Sequence, residues 1–241
     1  FPCLALRCDH RTDRLPAFKA LLLGWFFLVD SSLQAGVDGY LRCRWATSAE
    51  DYVLYHDQEW GFPVDDDQRL FEKICLEGFQ AGLSWITILR KRENFRLAFE
   101  NFDFEKVARF TKHKVEHLLL EAGIVRHRGK IESTVNNSKR ARELVNEYGS
   151  LASYFWSFEP EHEVTPKKNS SLPVMTPESK ALSKDLKRRG WSFVGPTTCY
   201  AFMQAMGLVN DHLSGCLVQE KAALAKERFK PPCFSKQKPH F

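Results

Sequence analysis

The stretch Ala122 to Ile131 reads A-G-I-V-R-H-R-G-K-I, and its setting decides the fold. Before it, Val115, Leu118, Leu119 and Ala122 form one apolar stripe at helical spacing; after it, Ile131, Val135, Leu144 and Val145 mark a second helix. Gly123 is placed to end the first helix. The exposed N–H groups of the turn, with the N-terminus of the second helix, make a polarised seat for a phosphate. Arg126, Arg128 and Lys130 add positive charge there, and Gly123 and Gly129 bracket the two arginines. The pattern is a helix-hairpin-helix. Any αα-hairpin uses glycine as a C-cap, so two readings stand open, an ordinary turn between helices or an anchor for the DNA backbone. Such an anchor positions a protein on DNA without reading sequence.

Upstream, Ile74 to Trp85 reads I-C-L-E-G-F-Q-A-G-L-S-W. Glu77 lies among Ile74, Cys75, Leu76, Phe79 and Leu83, where an ionised carboxylate is costly unless something pairs with it. A polar or cationic ligand suits that need. Gly78 and Gly82 fit a helix end and a tight turn, where backbone can approach another molecule, here the DNA at Gly82. Trp85 supplies an aromatic face that attracts a cation or a flat heterocycle, so the two side chains together suit a positively charged purine. The competing reading is an amphipathic helix with a snorkelling Glu and a core Trp.

The other segments read as helices too. Asp65 to Asp67 open the helix that carries Glu77, and a second runs from Ser84 through Ile88 to Phe99. Residues 103–110 and 150–158 are short helices. Thr176-Pro177-Glu178 starts one that stops at Gly190, and Pro196 opens another to about Gly207. No alternating strand pattern appears, so the expected class is all-α. Residues 159–174, rich in Pro, Lys and Ser, read as a connecting loop.

Between Arg42 and Gly61 the chain is dense in aromatics, and Tyr52, Tyr55 and His56 share one face if residues 49–59 are helical. That face either touches a ligand or belongs to the core. In V-N-D-H-L-S-G-C, His212 and Cys216 are spaced to hold one ion between adjacent turns. Cys43 and His56 complete a Cys₂His₂ set. Four protein ligands leave no open position, so the ion would be structural zinc, clipping the start of the domain to its end.

Composition fits a globular chain: 241 residues, 44% of them hydrophobic, can build a substantial core. A net charge of +5 permits nucleic acid as a partner without demanding it. Seven cysteines in a chain of this size argue for thiols or metal ligands in a reducing compartment rather than a disulfide framework. Residues 1–38 read as an extension of unknown role, poorly ordered or foreign to the mature protein, 39–217 as the domain, and 218–241 as a basic, disordered tail. Arg11, Arg14 and Lys19 lead into an apolar run from Ala20 to Val29, which resembles a removable targeting signal and is far shorter than the roughly 20 residues that span a bilayer. No methionine precedes Met175, so the sequence reads as a fragment, a processed product or a translation begun upstream of a start near Val37 or Leu41. N-terminal sequencing of native material tests this.

The C-x-W pattern at Cys43 and Trp45, Y-H-D-Q-E-W-G at Tyr55 to Gly61, I-C-L-E-G-F-Q-A-G-L-S-W, A-G-I-V-R-H-R-G-K-I and G-L-V-N-D-H resemble the bacterial 3-methyladenine DNA glycosylase I family over residues 42–216. The resemblance implies a helix-hairpin-helix glycosylase fold with a bound zinc ion, and an enzyme that excises 3-methyladenine from alkylated double-stranded DNA. It also implies a cytoplasmic monomer with no membrane partner. By the same resemblance Cys43, His56, His212 and Cys216 look like the zinc ligands. Trp45, Tyr52, Tyr55, Trp60, Glu77 and Trp85 look like the base pocket, with Glu77 recognising the base first and serving catalysis second. The hairpin from Gly123 to Lys130 is similar to the family's DNA-backbone anchor. The wider superfamily's catalytic Asp beyond the hairpin has no counterpart near Glu143 to Asn146, and iron–sulfur cysteine spacing is missing. Both absences imply hydrolysis without lyase chemistry. The alternative is a non-catalytic DNA-binding protein with a structural zinc, which gives no reason for Glu77 and the aromatics to converge.

Overall fold

Helix α2 (Asp67–Gln80) forms the axis about which the other elements pack. The computed structural model describes residues 32–161 and 172–232. Asp66 caps α2, its carboxylate accepting a hydrogen bond from Arg69 N at 2.7 Å, as the acid-rich start of the segment predicts. Helices α3 (Trp85–Ala98), α6 (Arg128–Tyr148), α7 (Leu151–Trp156) and α9 (Pro196–Ala205) surround it, and every residue from Leu70 to Phe79 is buried. Glu72, Lys73 and Glu77 therefore lie inside the protein and must find partners there.

The core on one side of α2 is aromatic. Phe79 packs on Phe95 with ring centroids 4.5 Å apart, and Phe99 stacks on Phe102 at 5.6 Å. On the other side Phe155 meets Phe202 at 4.6 Å, joining α7 to α9. Each such ring stabilises the fold by about 1.5–3 kcal/mol through burial alone. Helix α1 (Glu50–Gln58) lies against α3, while α4 (Phe104–Val107) and α5 (Lys112–Leu118) pack on α6. Helix α8 (Pro177–Arg188) begins at Thr176 with a reciprocal cap to Ser179 and pairs with α9.

Four expectations need correction. The fold is mostly helical but contains a two-stranded antiparallel sheet, β1 (Leu33–Ala35) with β2 (Leu41–Cys43), in register Leu33 opposite Cys43. Strands of three residues are too short to show alternation. Since β1 lies ahead of residue 39, the ordered fold begins earlier than that boundary. Helix α10 (Gln219–Arg228) occupies much of the expected tail, with Ala222 buried and Phe229 against Trp156 at 4.5 Å. Its charged surface concealed a narrow apolar contact. Lastly, Gly123 does not end α5, which stops at Leu118; the chain instead brings Gly123 against α3, where a Cβ would lie 2.9 Å from Asn94 Cβ.

Among the described residues no helix is long and apolar enough to cross a membrane. The apolar run at residues 20–29, most of the 1–38 extension, much of the Pro-rich loop and residues 233–241 lie outside the described residues.

Candidate active site

A cleft of about 690 Å³ opens between α2, α3 and α9, with Tyr55, Glu77 and Trp85 in its lining. Tyr55 comes from α1, Glu77 from the last turn of α2, and Trp85 from the first residue of α3, so the α2–α3 turn sets two of the three. Gly82 in that turn has φ +80°, which only glycine adopts without strain, and its Cα faces open space. The Tyr55 and Trp85 rings lie 5.4 Å apart. Trp85 Nε1 is buried without a hydrogen-bond partner among the described residues.

Glu77 already has a partner that the sequence reading overlooked. Lys73, one turn earlier on α2, places Nζ 2.8 Å from Glu77 Oε1, donates to Tyr55 Oη at 2.8 Å and stands 3.3 Å from the Trp85 ring centroid. Burial lowers the Lys73 pKa, and the Glu77 carboxylate offsets part of that. The Tyr55 phenol is pushed well above its ordinary value by burial and then by the Glu77 charge, so it stays protonated.

Trp45 and Trp60 extend the wall of the cleft, their rings 5.2 Å apart edge to face. Tyr52 does not line it, contrary to expectation. Its hydroxyl accepts from Ile86 N at 2.7 Å and its ring meets Trp45 edge-on, so it fixes the start of α3 and supports the wall from behind. The opposite wall carries Gln204 and Asp211, joined by a 2.6 Å hydrogen bond from Gln204 Nε2, and Gln80 stands at the end of α2. Sequence reasoning named none of these three. Gln80, near Glu77, and Asp211, beside His212, had adjacency as their only signal, and Gln204 had none.

Beside Trp60 lie Cys43, which also reaches the cleft lining, His56, His212 and Cys216, all buried, with ligand atoms within 4.8 Å of one another. The group could hold a metal ion. His56 Nε2 is 3.2 Å from His212 Nδ1 and 3.5 Å from Cys216 Sγ. The outer nitrogens are anchored: His56 Nδ1 to Asp57 Oδ1 at 2.7 Å, and His212 Nε2 to the Trp60 carbonyl at 2.9 Å. Arg42 in turn holds Asp57 through Nε and Nη2. The Cys216 thiol is held low by hydrogen bonding from Cys43 first, then from His212 and His56, while Cys43 is raised by the same pairing.

The family profile described as methyladenine glycosylase matches residues 45–220. This chain belongs to that family. Over 177 residues it is 50% identical to "DNA-3-methyladenine glycosylase 1" of Escherichia coli (strain K12), covering 73% of this chain and 95% of that protein. It superimposes with a TM-score of 0.71 at 36% identity on 3-methyladenine DNA glycosylase I from Staphylococcus aureus, covering 74% and 96% of the two chains. A solved complex of a variant 3-methyladenine DNA glycosylase I with 3-methyladenine gives the same TM-score and identity, covering 74% and 97%.

The residues between α5 and α6 divide. Arg126 and Arg128 are exposed, and Arg128 is paired with Glu116 at 2.7 Å. The N–H groups of Arg126, Arg128 and Gly129 make no hydrogen bond among the described residues, while His127 caps α6 by accepting from Lys130 N. Lys130 is not part of an exposed basic seat. Its side chain turns inward, donating to the carbonyls of Phe79 at 2.9 Å and Ala81 at 2.6 Å, because the end of α2 would otherwise leave those oxygens unsatisfied. Lys91 of α3, unmarked in the sequence, donates to the carbonyls of Ala122 and Gly123 and secures the hairpin from below.

Proposed function

We propose that this methyladenine glycosylase hydrolyses the N-glycosidic bond of 3-methyladenine in alkylated double-stranded DNA, as a monofunctional enzyme acting as a monomer. The observation that carries this reading is the convergence of Tyr55, Glu77 and Trp85 on one cleft in a chain half identical to an enzyme of that name. N3-methylation puts a positive charge on the base in the nucleotide, so the departing base leaves neutral and little acid catalysis is needed. The lesion flips out of the duplex, at least cost when the base is damaged. Trp85 and Tyr55 stack on it and Glu77 accepts from its amino group, favouring the cation over undamaged adenine. One charge contact at 4 Å supplies about 4 kcal/mol at an effective dielectric of 20, part of which desolvation cancels.

The α5–α6 segment serves as the helix-hairpin-helix anchor. Free N–H groups at Arg126, Arg128 and Gly129 and the side chain of Arg126 hold the DNA backbone, and the open Gly82 turn approaches it from α2–α3.

A structural zinc ion occupies the Cys43, His56, His212 and Cys216 group in this reading. Bonds of about 2.0 Å to nitrogen and 2.3 Å to sulfur in a tetrahedron require edges of roughly 3.3 Å between nitrogens and 3.6 Å between nitrogen and sulfur. The spacings of 3.2 Å, and of 3.5 and 3.7 Å, fit. With four protein ligands the ion holds structure and takes no part in the chemistry.

The test is mass-spectrometric identification of bases freed from methylated duplex DNA by the wild type and by Glu77→Gln. The expected result is 3-methyladenine without strand cleavage, reduced at least about 100-fold in the variant. No release by well-folded wild type would leave a DNA-binding protein in place of an enzyme.

A further inference from the structure

We propose that Lys73 is a resident cation behind the base site, and that a cationic base displaces its charge: as the base binds, one N–H bond of the Lys73 ammonium breaks and the proton passes to solvent. The inference rests on the function proposed above and deepens it. Its basis is geometric. The three side chains assigned to the base are the three that hold Lys73, at 2.8 Å from Glu77, 2.8 Å from Tyr55 and 3.3 Å from the Trp85 centroid.

The charges around Lys73 balance when the cleft is empty. Helix α1 faces it with Tyr55 and Glu59, and Glu59 is paired with Arg92 of α3 at 2.7 Å. Arg96 of α3 is paired with Glu72 of α2 at 2.8 Å, Arg69 of α2 is exposed to water, and the segment after α9 contributes apolar Met206. What remains is Lys73 against Glu77. A charged base brought beside them would leave two cations on one carboxylate in a site largely closed to water. Among the cations there, the arginines hold their protons too firmly to respond, whereas a buried lysine readily gives one up. Burial has already lowered the Lys73 pKa in the empty site. Release of its proton restores neutrality and leaves Glu77 to the base.

Linkage fixes the sign. Below the pKa of Lys73 in the empty site, binding that expels one proton tightens about tenfold per pH unit. A neutral ligand feels no such gradient.

The experiment is calorimetric titration of the full chain with 3,9-dimethyladeninium, an adenine carrying a permanent positive charge and no glycosidic bond. Wild type is expected to bind about tenfold more tightly per unit from about pH 6 to about pH 8, with one proton released per ligand as judged by heats in buffers of different ionisation enthalpy. Lys73→Met is expected to lose this dependence and, near pH 6, to bind at least about tenfold more tightly than wild type. Lys73→Arg keeps a charge it cannot release, so it should bind weakly and without pH dependence; it decides the matter should the Met variant fail to fold. Wild-type affinity that is flat with pH, absence of proton release, or no binding near pH 8 would overturn the proposal. Base release from methylated DNA, measured in parallel, separates the two failures: absent release sinks the function, whereas release without proton uptake by buffer sinks only the role of Lys73.

Discussion

Lys73 and Glu77 are one turn apart in the stretch of α2 from Leu70 to Phe79, every residue of which is buried, and that placement sets their energetics. Removing one member of a buried ion pair strands the other, at a typical cost of 3–5 kcal/mol; the open cleft beside Glu77 should bring the figure here toward the low end. Replacing both costs less, because neither charge remains to be solvated. Urea unfolding of Lys73→Met, Glu77→Gln and the double variant should therefore show the double variant more stable than the sum of the singles predicts, by at least about 1 kcal/mol. Additive losses would mean that water already screens the pair. The spacing of Lys73 and Glu77 was visible in the sequence; the enclosure of α2 was not. Glu77 could be identified as a buried acid from its own apolar neighbours, but its partner emerges only once α3, α6, α7 and α9 close around the helix.

Between elements, the contacts that position the cleft are polar and separable from those that would meet DNA. Glu59, at the end of α1, holds Arg92 of α3 through two hydrogen bonds of 2.7 and 2.9 Å. Burial raises the Glu59 pKa, but the Arg92 hydrogen bonds and charge outweigh it and leave the carboxyl below its ordinary 4.5. A depressed folded value means that the pair stabilises above the ordinary value and loses this contribution as pH falls through the folded one. Melting curves of wild type and Glu59→Gln should thus differ near neutrality and converge as the pH falls through the lowered folded-state value. At the hairpin, Lys130→Met should cost about 1–3 kcal/mol by leaving the Phe79 and Ala81 carbonyls unsatisfied, with little change in the salt dependence of DNA binding. Arg126→Ala should do the reverse, lowering the salt slope by about one with stability unchanged. The alternation of helix, turn and helix was legible from the apolar stripes. The inward turn of Lys130 was not, because a lysine beside two arginines looks the same in sequence whether it faces a phosphate or two carbonyls.

At the scale of the molecule, the group of Cys43, His56, His212 and Cys216 ties β2 and α1 to the segment after α9, and Trp60 packs on it from the cleft wall, 4.7 Å from the His212 ring. The grouping of these four side chains was legible, since Cys and His are chemically distinctive and their spacing survives in sequence; β1 and α10 were not, since one is too short for a pattern and the other too polar. The arrangement separates two effects of metal loss. Glu77 lies on α2, which packs on α3, α6, α7 and α9 rather than on β2 or α1, whereas Trp60 and Trp45 lean directly on the histidines of the group. Elemental analysis should find one zinc per wild-type chain and less in Cys43→Ser, whose melting temperature should fall. Below that melting point the variant should show a raised KM for methylated DNA with kcat nearly retained, because the wall loosens while the recognition carboxylate stays in place. A proportionate fall in kcat at unchanged KM would mean that the ion orders α2 itself, and that the cleft and the clip are one cooperative unit.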